Sequence, residues 1–297
     1  MHQNKNKKLN HIPVLLKEVI SVLEPKNNDT YLDLTAGYGG HCNAVLNFTH
    51  NPGGAALVDR DDEAIKFIQE KYGKSKALII HNDFLTASKD LLKSSYQFDL
   101  ILADLGVSSL HFNEARRGFS LLRDGPLDMR MDQNQVLTAE KVINTYSREE
   151  LFNILKEYGE EPKARLIVDT IINNRPINST LQLADLIAKK FGYSRIHPAT
   201  KTFQAIRIEV NNELNLLSDS LDLWLKLLSI GGRIAIISFH SLEDRIVKNF
   251  FKEHSSSKYE AELSLVNKHP ITAGPQEIVN NPRARSAKLR AAVKIKT

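Results

Sequence analysis

Short apolar runs alternate with longer amphipathic stretches through the first third of the chain. Tyr31–Thr35, Ala55–Val58, Ala77–Ile80 and Phe98–Ala103 are brief, nearly continuous apolar segments. Their length and continuity predict strands buried on both faces. Between them lie segments with apolar residues at helical spacing. His11–Leu23 carries Val14, Leu15, Val19 and Val22. A helix is expected from about Gly40 to Phe48. Another carries Ala64, Ile65, Phe67 and Ile68, with Asp61, Asp62 and Glu63 loading its first turn where the helix dipole favours negative charge. Pro25–Asp29 and Asn51-Pro52-Gly53-Gly54 read as turns. Four strand–helix alternations predict an α/β fold built on a doubly wound, mostly parallel sheet. Ligands in such sheets bind beyond the carboxyl ends of the strands. Gly39, Asp59, Asp83 and Asp104 all fall on that edge.

The alternation stops after Asp104. Residues 105–131 are loop-like and rich in Gly, Ser and Arg, and from about 136 to 208 the pattern is helical. Ser147-Arg148-Glu149-Glu150 is a capping box, ahead of Leu151, Ile154, Leu155 and Tyr158. Ala164, Ile167, Val168, Ile171 and Ile172 mark a second helix, and Thr180 is placed to cap a third. The sheet is expected to resume after a helix with Leu214, Leu217, Leu221, Trp224, Leu225 and Leu228 on its apolar face. Gly231-Gly232 reads as a turn, and Arg233–Ser238 as the fifth strand. Ser241-Leu242-Glu243-Asp244 reads as a capped helix start, and the last two strands fall near Leu263–Val266 and Lys288–Ile295. The expected organisation is a disordered basic start (1–10), a ligand-binding domain in two pieces (11–111 and 209–297), and an inserted loop and helical substrate-recognition subdomain (112–208).

Composition adds bounds to this picture. The 297 residues are 42% hydrophobic and 25% charged, ordinary for a water-soluble fold. No apolar run approaches the roughly 18–20 residues that span a bilayer. Met1–Asn10 has no apolar core and is not a secretory leader. Cys42 is the single cysteine, so neither an internal disulfide nor a cysteine zinc cluster exists. No metal constellation is visible. A cytoplasmic setting is expected, and the oligomeric state is open. The net charge of +5 and pI near 9.1 are compatible with a nucleic-acid partner. Lys5, Lys7 and Lys8 open the chain. Arg283, Arg285, Lys288, Arg290, Lys294 and Lys296 close it, either as a solvated tail or as a phosphate-binding one.

The candidate chemistry gathers on the predicted strand ends. Gly37, Gly39 and Gly40 let the backbone turn sharply against a ligand, and a helix starting there aims free N–H groups at it. Asp59, about 20 residues on, stands where nucleotide folds bind ribose hydroxyls; its alternative role is a helix cap. The third glycine of the dinucleotide fingerprint is missing, which favours S-adenosylmethionine (AdoMet) over NAD. Gly39, Gly40 and His41 would then cradle the methionine end. Phe84 would pack on adenine with Asp83 near its amino edge, unless Phe84 is simply core. Asp104-Leu105-Gly106-Val107-Ser108-Ser109 sits where the chemistry belongs. Methylating an exocyclic base amine needs no covalent nucleophile, only an acceptor for its N–H and an aligned methyl donor. Asp104 would supply that acceptor. Cys42 reads as a small buried residue. Ser238, His240, Ser241 and Asp244 lack the nucleophile-elbow pattern of a hydrolase. In the loop after Asp104, Arg116, Arg117, Phe119 and Arg130 suit RNA phosphates and bases. The alternative is internal ion pairing with Asp124, Asp128 and Asp132.

Taken together, these stretches resemble the RsmH (MraW) family of bacterial 16S ribosomal RNA (cytosine-N4) methyltransferases. The resemblance rests on HIPVLLK (His11–Lys17), GGH (Gly39–His41), Asp59-Arg60-Asp61, DLGVSS (Asp104–Ser109), RGFS (Arg117–Ser120) and DGPLDMRMD (Asp124–Asp132). It continues in HPATKTFQAIRIEV (His197–Val210), IISFHSLEDRIVK (Ile236–Lys248) and NPRARS (Asn281–Ser286). It implies a class I AdoMet-dependent methyltransferase fold with an inserted helical domain, acting on N4 of a decoding-centre cytosine, position 1402, in the small ribosomal subunit. It maps cofactor contacts onto Gly39, Gly40, His41, Asp59, Phe84 and Asp104, and onto His111, where the family commonly has Gln. Arg116, Arg117, Arg130, Arg283 and Arg285 are the RNA-binding candidates. Two rival readings stay open: an AdoMet-binding ribosome-assembly or RNA-binding factor without turnover, and an NAD-dependent oxidoreductase.

Overall fold

The structure is a computed structural model that describes residues 13–107, 109–192, 196–256 and 260–296. The basic start with Lys5, Lys7 and Lys8, His11 of the first motif, and Ser108 lie outside the described residues. The chain divides into two compact units, one of Met1–Leu105 with Ser220–Thr297 and one of Gly106–Asp219.

In chain order, the elements up to the first break are α1 (Leu16–Leu23), β1 (Tyr31–Asp33), α2 (Gly40–Thr49), β2 (Ala55–Asp59), α3 (Asp62–Tyr72), β3 (Leu78–His81), α4 (Phe84–Lys93) and β4 (Phe98–Asp104). Then come α5 (Ser109–Asn113), α6 (Ala139–Thr145), α7 (Arg148–Glu157), α8 (Ala164–Asn173), α9 (Thr180–Phe191), α10 (Thr200–Asn211) and α11 (Glu213–Leu227). The chain closes with β5 (Leu228–Ser238), α12 (Ser241–Ser255), β6 (Leu263–Leu265), α13 (Pro275–Asn280) and β7 (Lys288–Lys294).

The first unit is built on a seven-stranded sheet in the order β3-β2-β1-β4-β5-β7-β6. Strands β1 to β5 are parallel neighbours, as the apolar runs predict. The central strands β1, β2 and β4 are buried along almost their whole length, whereas edge strand β3 is partly exposed. The far end departs from a purely parallel sheet: β7 inserts between β5 and β6 and runs antiparallel to both. The expected turn at Gly231-Gly232 lies inside β5. Phe98 pairs with Leu228 but Leu100 with Arg233, so the glycines, Gly231 at φ +84°, take up extra chain as a bulge.

The basic C-terminal segment is not a tail. Lys288 and Arg290 in β7 both pair with Asp244, at 3.1 and 2.7 Å. Lys294 is buried, its ammonium donating to the carbonyls of Leu225 and Leu228.

The second unit packs α6 to α10 around one apolar core that also takes in Val107, Phe119, Leu127, Met129 and Met131. Phe203, Ala205, Ile206 and Val210 of α10 belong to that core. The unit, Gly106–Asp219, is wider than the expected 112–208. Ser147 forms the expected capping box with Glu150. Helix α9 is capped by Ser179 rather than Thr180. The Thr180 hydroxyl instead donates to the Arg123 carbonyl and accepts from the Gly125 N–H.

Candidate active site

The glycine turn leaves β1 and enters α2 through two left-handed residues, Gly37 at φ +51° and Gly39 at φ +70°. A Cβ on Gly40 would lie 2.6 Å from Cγ of Pro13, and one on Gly39 would lie 3.2 Å from Cε2 of Tyr72. Glycine is thus required here both by conformation and by close packing beneath the turn. No side-chain hydrogen bond caps the start of α2. That leaves a cradle of N–H groups suited to an anionic ligand group.

Asp59 at the end of β2 braces this turn. Its Oδ2 accepts from the Gly37 N–H at 2.7 Å and its Oδ1 from the Asp61 N–H at 2.9 Å. The helix-cap role belongs to Asp61, whose carboxylate accepts from Glu63 and Ala64. Asp83 caps α4, accepting from Leu85, Thr86 and the Thr86 hydroxyl. Phe84 is half-buried and meets Trp224 edge-on, 5.5 Å between ring centres. Trp224 is held in turn by its indole N–H donating to Ser88 Oγ.

Asp104 closes β4 on the same edge. Its Oδ2 lies 3.7 Å from Nε2 of buried His41. Its Oδ1 is buried with no hydrogen-bond partner among the described residues. Burial pushes the Asp104 carboxyl up to about 7; Arg283 opposes the shift, while Asp33 and Glu243 reinforce it. Its side chain is about 21% exposed, through atoms other than Oδ1.

The neighbouring Asp33, the last residue of β1, is the residue that site reasoning from the sequence missed. Burial raises it to about 7 as well, against the Tyr31 hydroxyl and the Thr35 N–H that hydrogen-bond it, with Asp59 adding to the rise. The signal was an acid inside an apolar strand. Burial pushes the Cys42 thiol up to about 12, which suits a buried packing residue and not a nucleophile.

The Ser238–Asp244 stretch is structural. His240, not Ser241, caps α12 and shares a capping box with Glu243. Asp244 is committed to Lys288 and Arg290.

Several RNA candidates need correcting. Arg117 is only 2% exposed, and its guanidinium donates to the carbonyls of Arg130 and Met131. Arg130 clamps Asp128 through Nε and an Nη, and reaches the carbonyls of Gln133 and Gln135. Phe119 lies in the core of the second unit. These groups hold the loop together and are not presented to a phosphate. Arg116 is exposed and paired with Glu114. Arg285 is exposed and Arg283 half-buried, in a 3₁₀ turn over Pro282–Ser286. His111 is buried in the second unit, its ring stacked on Phe119 at 5.2 Å.

Residues 8–295 match the family model described as the MraW methylase family. The chain belongs to this family. A Halothermothrix orenii relative is 44% identical over 97% of this chain and 99% of its own length. Relatives from Acidobacterium capsulatum and Rickettsia prowazekii are each 43% identical, over 96% of this chain and 98% of theirs. All three carry the name ribosomal RNA small subunit methyltransferase H. The MraW methylases are AdoMet-dependent rRNA methyltransferases, and the first unit is the class I methyltransferase fold that chemistry uses. No helix among the described residues is long and apolar enough to cross a membrane.

Proposed function

We propose that this protein methylates N4 of a decoding-centre cytosine, position 1402 of 16S rRNA, in the cytoplasmic small ribosomal subunit. The observation that carries the reading is Asp104: a shielded carboxylate at a strand end, one oxygen of which has no hydrogen-bond partner among the described residues. An exocyclic amine N–H is the donor such an oxygen lacks.

The residues fit AdoMet. The left-handed glycine turn leads into the start of α2, which suits the methionine carboxylate. Asp59 would hold the ribose hydroxyls, with Gly39, Gly40 and His41 along the methionine end. Phe84, backed by Trp224, offers adenine a rigid apolar wall. Asp33, Asp59 and Asp104 together favour a cationic ligand over the anionic pyrophosphate of NAD. His111, in the second unit, is proposed as a further cofactor contact. Arg116, Arg283 and Arg285 are the remaining candidates for rRNA phosphates.

When bound, AdoMet supplies an electrophilic methyl group on sulfur. Asp104 would accept the amine N–H and aim the nitrogen lone pair at that methyl carbon. As the N–C bond formed and the S–C bond broke, the thioether S-adenosylhomocysteine would leave and the carboxylate would take the proton released by nitrogen. A carboxyl near 7 suits both duties at neutral pH.

The test is incubation with labelled AdoMet and small subunits lacking the modification, followed by mass spectrometry of nuclease fragments. N4-methylcytosine in the decoding region is the expected result. Label only on free rRNA, DNA or a small molecule overturns the substrate. Binding to subunits without any label favours the non-catalytic assembly factor.

A further inference from the structure

Asp104 can orient an amine only if its own backbone is fixed; β5 pairs with it at Ile237, but on the β1 side the sheet ladder stops short of it. Strand β1 pairs with β4 in the register Tyr31 to Leu100, Leu32 to Ile101 and Asp33 to Leu102. Leu100 donates its N–H to the Thr30 carbonyl, and Leu34 donates to the Leu102 carbonyl. Donors that face one neighbouring strand recur every second residue, so Asp104 is the next β4 donor that faces β1. The ladder partner due there is the Leu34 carbonyl, but the chain is already turning away toward Gly37.

The acceptor is instead a side chain: the Asp104 N–H donates to Oγ1 of Thr35 at 2.6 Å. Thr35 is itself anchored from below. Its N–H donates to Oδ1 of Asp33 at 3.2 Å, and Oδ2 of Asp33 accepts from the Tyr31 hydroxyl at 2.7 Å. Tyr31 and Asp33 are both almost fully buried. A line of hydrogen bonds thus runs Tyr31, Asp33, Thr35, Asp104, from the floor of the sheet to the carboxylate at its edge.

We propose that Thr35 is a positioning residue for methyl transfer, its hydroxyl extending the β1–β4 ladder by one bond so that the Asp104 carboxylate is aimed at the acceptor amine. The proposal rests on the methyl-transfer reading of Asp104 given above. Thr35 touches neither cofactor nor substrate in this role; it acts through the Asp104 backbone. Near-attack geometry is sensitive to displacements of about 1 Å, which cost on the order of 100-fold in rate. A lost anchor at Asp104 should therefore appear in turnover.

The test is a double-mutant cycle on the full chain with small subunits as substrate. Thr35→Val keeps the shape and removes the acceptor. Its turnover should fall roughly 10- to 100-fold, with a smaller change in AdoMet affinity. Thr35→Ser keeps an oxygen at the same place and should recover most of the rate. In an Asp104→Asn background, Thr35→Val should cost little more, because the group it positions is already disabled. A multiplicative loss in the double variant, or a Thr35→Ser variant as slow as Thr35→Val, would overturn the positioning role. So would normal turnover per folded molecule in Thr35→Val. If Asp104→Asn alone turns over at the wild-type rate, the Asp104 reading fails and this proposal falls with it. If Asp104→Asn is slow while Thr35→Val is not, only the Thr35 proposal fails.

Discussion

Replacing Asp33 with Asn should stabilise the first unit, and by more at high pH than at low. Asp33 is 1% exposed, and its carboxyl sits near 7 instead of the ordinary 3.8. In the unfolded chain the group ionises near 3.8; in the folded chain it holds its proton until about 7. Between those values the folded state binds more protons, so stability falls as pH rises through the window and is flat above it. The two values imply a penalty on the order of 1–2 kcal/mol at pH 5, rising to about 4 kcal/mol at pH 8. Asn removes that term: its carbonyl accepts from Thr35 and its amide faces the Tyr31 oxygen, so the buried Tyr31 hydroxyl loses its acceptor, a cost that does not vary with pH across this range. The stability gap between variant and wild type should therefore widen by about 2–3 kcal/mol from pH 5 to pH 8. Trp224 is the single tryptophan and is buried in the first unit, so urea unfolding followed by its fluorescence reads the relevant transition. A gap that is constant across this range, or one that narrows, refutes the reasoning.

Asp104 gives a kinetic counterpart. Turnover should climb about tenfold per pH unit below 7 and level off above it, as the carboxylate form accumulates. Asp104→Asn should lose that slope and run roughly 10²- to 10⁴-fold slower, and a pH-independent wild-type rate would count against the role. Gly40→Ala places a methyl 2.6 Å from Pro13; calorimetric titration should show AdoMet affinity reduced at least about tenfold, one decade being about 1.4 kcal/mol. Arg117→Ala strands two buried carbonyls and should cost about 3 kcal/mol in the thermal unfolding of the second unit. Arg285→Ala should leave stability within about 0.5 kcal/mol. It should also weaken rRNA binding and lower the salt slope by about one, and an unchanged slope would remove Arg285 from the interface.

The parts of the fold visible in the sequence are those set by neighbours in the chain. The apolar runs ending in Asp59 and Asp104 give the parallel strands, and Ser147 with Glu150 gives a helix start, because each signal is local. The direction of β7 is different: Leu289, Ala291 and Ala292 would bury equally well in either orientation, and only pairing with β5 and β6 decides it. Arg117 reads as a surface cation because the carbonyls that enclose it come from Arg130 and Met131, across a loop. His240 displaces Ser241 as the cap of α12 by a one-residue shift that Glu243 settles from inside. At the site, the glycine turn and strand-end acids are legible by position. Asp33 and Thr35 are not, because their importance lies in what they hold, and that is a matter of contacts.

The pairing of Asp104 with Ile237 has a kinetic consequence. Two central strands of one sheet must meet across everything between them, and a flexible segment of that length makes closure slow and entropically costly. The intervening Gly106–Asp219 segment has its own core. If it collapses first, the flexible chain between β4 and β5 is shortened, and with it the search. Refolding should then show helix formation before Trp224 is buried. Mutations in the core of the inserted unit, such as Leu155→Ala, should slow the appearance of cofactor-binding protein without altering the cofactor site.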